Sequence, residues 1–285
     1  MRTWGRGSRG LLAACHPLPS AAVTVFATAY ALAVQNGLSV EGWGRAGSVG
    51  AAILAGQLCV GWSNDAFDAS RDQVAQRADK PISAGLIDAR VVAASAGCAA
   101  AAAVLLSWRL GDDAGLYHLI AVLSAVGYNA GLKSTPISPL PYLVSFGLLP
   151  AIASLAVLGG WPPASTIGAA ALLGAGAHFA NTVGDTEADA LTGVRGLPQR
   201  IGPTRSLSVM AVLIALAAAC LLAGVLGSDG IGLLRKVFAV LLLLAGVALG
   251  ITGALGRIGT SGGRAAFRLT LIAVALVVAG FLVTA

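Results

Sequence analysis

Residues 64–72 read Asn64-Asp65-Ala66-Phe67-Asp68-Ala69-Ser70-Arg71-Asp72, directly after an apolar run over residues 46–62 that carries no charge. A second polar island reads Asn181-Thr182-Val183-Gly184-Asp185-Thr186-Glu187-Ala188-Asp189, and it too closes an apolar run. In both, Asn, Asp and Asp recur at i, i+4 and i+8, a spacing that lines three side chains along one helix face. Acids gathered at the ends of long apolar segments decide the fold. The segments are membrane-spanning helices, and the carboxylates sit at their mouths.

The rest of the chain agrees. Of 285 residues, 57% are hydrophobic and 11% charged, and the mean hydropathy is +0.84. Soluble domains carry about 25% charged residues, so a water-soluble globule is excluded. Disorder needs low hydrophobicity and is excluded as well. The four cysteines, Cys15, Cys59, Cys98 and Cys220, lack the spacing of a disulfide scaffold or a zinc module and read as small buried hydrophobes. Leu12-Ala13-Ala14-Cys15 has the look of a lipoprotein cleavage box, but residues 4–10 before it offer no apolar core, so no cleavage is expected.

A spanning helix needs roughly 20 apolar residues. Nine stretches qualify, at about 20–40, 46–62, 89–108, 115–131, 139–159, 164–184, 205–227, 231–253 and 267–284. The expected fold class is therefore all-α integral membrane, nine helices bundled around a central cavity. Ahead of it lies a tail over residues 1–19. If the N-terminus is cytoplasmic, Arg2, Arg6, Arg9, Arg71, Arg77, Lys80, Arg90, Lys133, Arg195, Arg200, Arg205, Arg257, Arg264 and Arg268 all face the cytoplasm. Only Arg45, Arg109, Arg235 and Lys236 face outward, which is the positive-inside pattern. Nine spans then put the C-terminus outside, in a plasma membrane of bacterial type. The net charge of +6 needs no nucleic acid to explain it. Trp43, Trp62, Trp108 and Trp161 fall near span ends, where amphipathic rings anchor. Trp62 lies two residues before the first island.

The islands are registered at an offset of 117 residues, and the register continues from Pro81 to Pro198 and from Gly85 to Gly202. Such self-similarity points to duplication, with halves at about 20–138 and 139–266 and a last span at 267–284. The two acidic faces are expected to oppose each other across one cavity mouth. Asp65, Asp68, Asp72, Asp185, Glu187 and Asp189 would repel one another strongly there, and ionisable groups at membrane depth are usually functional. A divalent cation relieves the repulsion. Mg²⁺ suits best, because it takes oxygen ligands and bridges carboxylates to phosphates. Arg71, Arg77, Lys80, Lys133, Arg195 and Arg200 surround the islands. Carboxylates, Mg²⁺ and a cationic rim describe a site for a diphosphate. His16, His118 and His178 read as packing or interface residues. His178, one turn before Asn181, is the one placed to support the second island.

Over nearly its whole length the chain resembles the UbiA superfamily of intramembrane prenyltransferases. Asn64 to Asp72 is similar to the family's first Asp-rich motif and Asp185 to Asp189 to its second. Arg77-Ala78-Asp79-Lys80-Pro81-Ile82-Ser83-Ala84-Gly85 resembles the stretch after the first motif. The resemblance implies Mg²⁺-dependent transfer of a prenyl group from a polyprenyl diphosphate to an acceptor within the membrane; an aromatic such as a hydroxybenzoate is the first expectation, with naphthoate, homogentisate-like aromatics and non-aromatic acceptors also open. It implies two Mg²⁺ ions on Asp68, Asp72, Asp185 and Asp189. Asn64, Arg71, Arg77, Lys80, Lys133, Asn181 and Arg195 would bind the diphosphate, and Asp65 would serve in catalysis, as a further metal ligand or as a base toward the acceptor. The family commonly shows Y-x-x-x-K in the span 4 to 5 region, whereas Tyr128 and Lys133 are five apart. Both can share the catalytic site only if the helix ends near Gly131, which Gly131 and Pro136 favour.

Two rival readings use the same residues. An enzyme of this scaffold that cyclises the prenyl chain needs no acceptor. A transporter would also combine internal repeats with intramembrane acids, but its acids tend toward the midplane rather than span ends.

Overall fold

The computed structural model describes residues 2–35, 39–184, 189, 191–228, 230, 232–255, 272–280 and 282. Every regular element among them is helical. Helix α1 spans Arg2–Ala14, α2 Pro17–Ala33, α3 Val40–Val74, α4 Ala89–Trp108 and α5 Asp112–Ala130; α6 spans Leu140–Leu158, α7 Ala164–Gly184, α8 Leu197–Ile201, α9 Pro203–Leu226 and α10 Leu233–Leu255. Residues 272–280 are helical again. Of the described helices, five are long and apolar enough to cross a membrane, or six if α1 and α2, bent by 56° at residues 15–16, count as one broken span.

Helix ends follow local chemistry. Ser39 caps α3 by accepting the Gly42 N–H, with Glu41 favourably placed in the first turn. Asp88 caps α4 through the Arg90 N–H at 2.7 Å. Gly131, at φ 155°, stops α5, and Leu132–Ser134 turn as a short 3₁₀ segment. This is the stop near Gly131 that the sequence requires. Helix α3 runs 12 residues past the expected span end at Trp62, through the whole first island to Val74. The i, i+4, i+8 alignment of Asn64, Asp68 and Asp72 is thereby realised on a continuous helix.

The chain divides into two compact units. The first comprises residues 1–133, 151–160 and 191–193. Helix α3 is its axis, packed against α2, α4 and α5. Its buried face is built from small residues, including Ala46, Gly50, Ala52, Gly56, Cys59 and Gly61, which let helices approach closely. A Cβ at Gly56 would stand 2.8 Å from Nε2 of His118. That histidine is buried on α5, its Nδ1 2.7 Å from the Ser107 hydroxyl, a packing role as expected.

The second unit comprises residues 134–150, 161–190 and 194–285. Here α9 packs against α7 and α10 around fully buried Met210, Ile214 and Ala217. Gly174 of α7 faces Phe146, whose Cβ would lie 2.5 Å from an added methyl. His178 is buried, its Nε2 3.1 Å from the Ser138 hydroxyl and its ring 4.9 Å from that of Tyr142. Ser138 also accepts the Leu197 N–H at 3.0 Å.

Three of the tryptophans, Trp43, Trp108 and Trp161, are exposed at helix ends as a membrane belt requires. The cysteines are all free, but Cys98 is exposed rather than buried, since α4 turns that face outward.

Candidate active site

The first island forms two polar groups within the first unit, one around Asp65 and one around Asp68. Asp65 is 2% exposed. Its Oδ1 accepts from the Lys80 ammonium at 2.7 Å and lies 3.0 Å from Nε2 of His16. Lys80 Nζ and Asn64 Nδ2 stand 3.4 and 3.5 Å from that same ring nitrogen. Asp65 Oδ2 is buried and has no hydrogen-bond partner among the described residues. One turn further along α3, Asp68 takes the buried Lys133 ammonium, which donates to both carboxylate oxygens at 2.5 Å. Arg71 adds a third contact to Asp68 at 3.2 Å. Asp72 follows on the same face, half-buried, and its carbonyl holds the following loop through the Ser83 hydroxyl at 3.2 Å.

The stop of α5 places Lys133. A helix continued past Gly131 would carry this side chain round the axis; the positive φ of Gly131 and the 3₁₀ turn bring it to α3 instead. Asn129 ties the two helices together by donating to the Val60 carbonyl at 2.9 Å and to the Ser63 hydroxyl at 3.0 Å. Tyr128 is half-buried on the last turn of α5.

Other expected residues are placed differently. Arg77 forms a fork with Asp79, both bonds 2.8 Å, beside these groups rather than in them. That fork holds the Asp79 carboxyl below the usual carboxylate range. In the second unit, Asn181 is exposed and Asp189 accepts from Gln199 at 2.7 Å. Arg195 is exposed, and its carbonyl accepts from Arg200 at 2.8 Å. Asp185 and Glu187 lie outside the described residues, as do Arg257, Arg264 and Arg268. Among the described residues no three His, Cys, Asp or Glu side chains cluster closely enough to hold a metal ion by themselves.

His16 is the residue that sequence reasoning missed. It was expected at the interface, yet it reaches Asp65 from 49 positions away. The available signal was its position before Pro17, which disfavours ordinary helical backbone at His16 and so favours a break there.

The donor set suits a hard divalent cation. Asp68 and Asp72 present carboxylate oxygens one turn apart on α3. The same ground holds three cations, Arg71, Lys80 and Lys133, with Arg77 beside them. Carboxylates and cations thus meet at one end of α3 in a chain rich in long apolar helices. The chain belongs to the UbiA prenyltransferase family, whose model matches residues 21–271.

Solved structures share the fold. A UbiA homologue from Archaeoglobus fulgidus bound to DMAPP and Mg²⁺ superposes with TM-score 0.73 at 16% identity, over 94% of this chain and 98% of that one. A structure of digeranylgeranylglyceryl phosphate synthase gives TM-score 0.70 at 16% identity, covering 100% and 99% of the two chains. The apo UbiA homologue from Aeropyrum pernix K1 gives 0.68 at 19% identity, covering 90% and 96%. No curated protein matches the chain.

Proposed function

We propose that this protein transfers a prenyl group from a polyprenyl diphosphate to an aromatic acceptor of the hydroxybenzoate type, with Mg²⁺, at the cytoplasmic face of the membrane. The observation that carries the proposal is the pairing of Asp65 with Lys80 and of Asp68 with Lys133 and Arg71 at one end of α3. The Archaeoglobus fulgidus homologue holds DMAPP or GPP with Mg²⁺, which supports the same class of donor here.

Asp68 and Asp72, with Asp185 and Asp189 of the second island, would hold two Mg²⁺ ions. The metal supplies Lewis-acid stabilisation of the leaving diphosphate. Lys133 and Arg71 now neutralise Asp68; when the site fills, they are within reach to pair with diphosphate oxygens instead. The allylic C–O bond breaks and its electron pair leaves on the diphosphate. A ring carbon of the acceptor forms the new C–C bond, and the proton on that carbon departs, with Asp65 as the base. Apolar walls accept the isoprenoid tail and keep water from the carbocation, and Tyr128 contributes from the end of α5.

Nine spans, with an interior N-terminus and an exterior C-terminus, complete the reading. The boundary between compact units after Lys133 supports a duplication at about residue 138. So do the registered glycines: Gly85 and Gly202 both take positive φ, 66° and 85°, and Pro81 and Pro198 are both buried.

The test is purified protein with Mg²⁺ and a panel of prenyl diphosphates, with and without aromatic acids or a glycerol phosphate acceptor, read by mass spectrometry. A prenylated hydroxybenzoate supports the reading. A cyclic hydrocarbon formed without acceptor, or solute flux without diphosphate release, sinks it.

A further inference from the structure

The joint between α1 and α2 is strained and clamped. His16 takes the left-handed conformation, φ 53° and ψ 65°, which is unfavourable for a residue with a Cβ. Such backbone persists only where the surroundings over-determine it. Here they do. The Trp62 indole donates to the Leu11 carbonyl at 2.9 Å and the Ser20 hydroxyl to the Cys15 carbonyl at 2.8 Å. Gly61 leaves the gap that the joint fills: a Cβ there would stand 2.5 Å from the Cys15 carbonyl oxygen. Leu11 and Ala14 pack with Ile82, Ile87 and Val92, so the joint is also fixed against the loop that carries Lys80.

All of these contacts converge on one placement, that of Nε2 of His16 on Asp65 Oδ1. With Lys80 on the same oxygen, Oδ1 is saturated. The free oxygen, Oδ2, is then the only one left for a reacting group. We propose that His16 is a positioning residue: with Lys80 it locks the Asp65 carboxylate so that Oδ2 alone faces the acceptor. This rests on the prenyl-transfer reading, in which Asp65 takes the acceptor's proton.

Variants at position 16 separate this role from a structural one. H16G removes the imidazole while tolerating positive φ. H16Q keeps an N–H donor at nearly the reach of Nε2, and H16N keeps a donor but falls short of Asp65. In wild type, turnover with the acceptor panel must first be seen; its absence overturns the functional reading and not the role of His16. With turnover in hand, H16G and H16N should lose about 10–100-fold in kcat/KM for the acceptor, and H16Q should recover most of it. The equilibrium Kd for a prenyl thiodiphosphate should stay within about twofold of wild type. On a D65N background, H16G should cost nothing more, because its effect passes through Asp65. The proposal is overturned if H16N and H16Q are alike, if donor affinity falls along with acceptor kcat/KM, or if H16G costs the same on D65N as on wild type. Should H16G not accumulate as folded protein, the contrast between H16N and H16Q decides alone.

Discussion

Asp68→Asn should move diphosphate affinity in opposite directions depending on Mg²⁺. Asp68 is bound by Lys133 and Arg71, with side chains 16%, 8% and 37% exposed respectively. An incoming anion must draw both cations away from that carboxylate. A charge-assisted hydrogen bond contributes about 1.5–3 kcal/mol, and the exposure of Arg71 means solvent screens its share heavily. Lys133 therefore dominates, and neutralising Asp68 releases its ammonium at a gain of about 1.4 kcal/mol, or tenfold in Kd. Without metal, D68N should bind a prenyl thiodiphosphate about tenfold more tightly than wild type. With Mg²⁺ the sign reverses, because one carboxylate ligand is gone; affinity should fall about 100-fold or more relative to Mg²⁺-loaded wild type. Titration calorimetry in detergent, with EDTA and then with excess Mg²⁺, reads both values from one preparation. A loss of equal size in the two conditions would refute the idea that Lys133 trades a carboxylate for a diphosphate.

Further outcomes follow from the same contacts. K133M leaves Asp68 with Arg71 alone, and it should lower kcat about 10²–10³-fold, measured by single-turnover mass spectrometry. G61V forces a side chain against the Cys15 carbonyl oxygen; overpacking of about 1–3 kcal/mol should lower the detergent melting temperature and, by shifting the joint, reduce turnover too. S138A strands the Leu197 N–H and the His178 ring, so it should destabilise by about 1–3 kcal/mol while leaving donor Kd unchanged; a normal melting curve speaks against it. A C-terminal fluorescent protein that folds only in the cytoplasm should stay dark if the C-terminus is outside, and bright cells would overturn the nine-span topology.

What the sequence made legible was periodic or local. The apolar runs mark α4 at residues 89–108 and α7 at 164–184, both with the bounds the helices have, because continuous apolar text has only one reading in lipid. Lys133 was legible through Gly131, since a glycine that ends a helix leaves a local signature. His16 was not. Its partner lies 49 residues away, and nothing in the text near Pro17 indicates which helix the joint will meet. The fork of Arg77 with Asp79 shows the opposite failure: a cation adjacent in sequence to the site is held by its nearest acid, two residues off. Charge content could not tell a residue in the polar groups from one beside them. Helix α1 was likewise read as a tail, as its glycines at positions 5, 7 and 10 weaken any helical signal.

The partners of Asp65 and Asp68 have a bearing on biogenesis. His16, Lys80, Arg71 and Lys133 all precede residue 134. Each of these partners is therefore made before the second compact unit begins at residue 134. At about 5–20 residues per second, each further 100 residues takes roughly 5–20 s. Through this interval the nascent first half can rest in the bilayer with Asp65 and Asp68 already neutralised. An order of synthesis that brought Lys133 last would leave Asp68 with Arg71 alone as its cation for that interval, while Asp65 would keep Lys80.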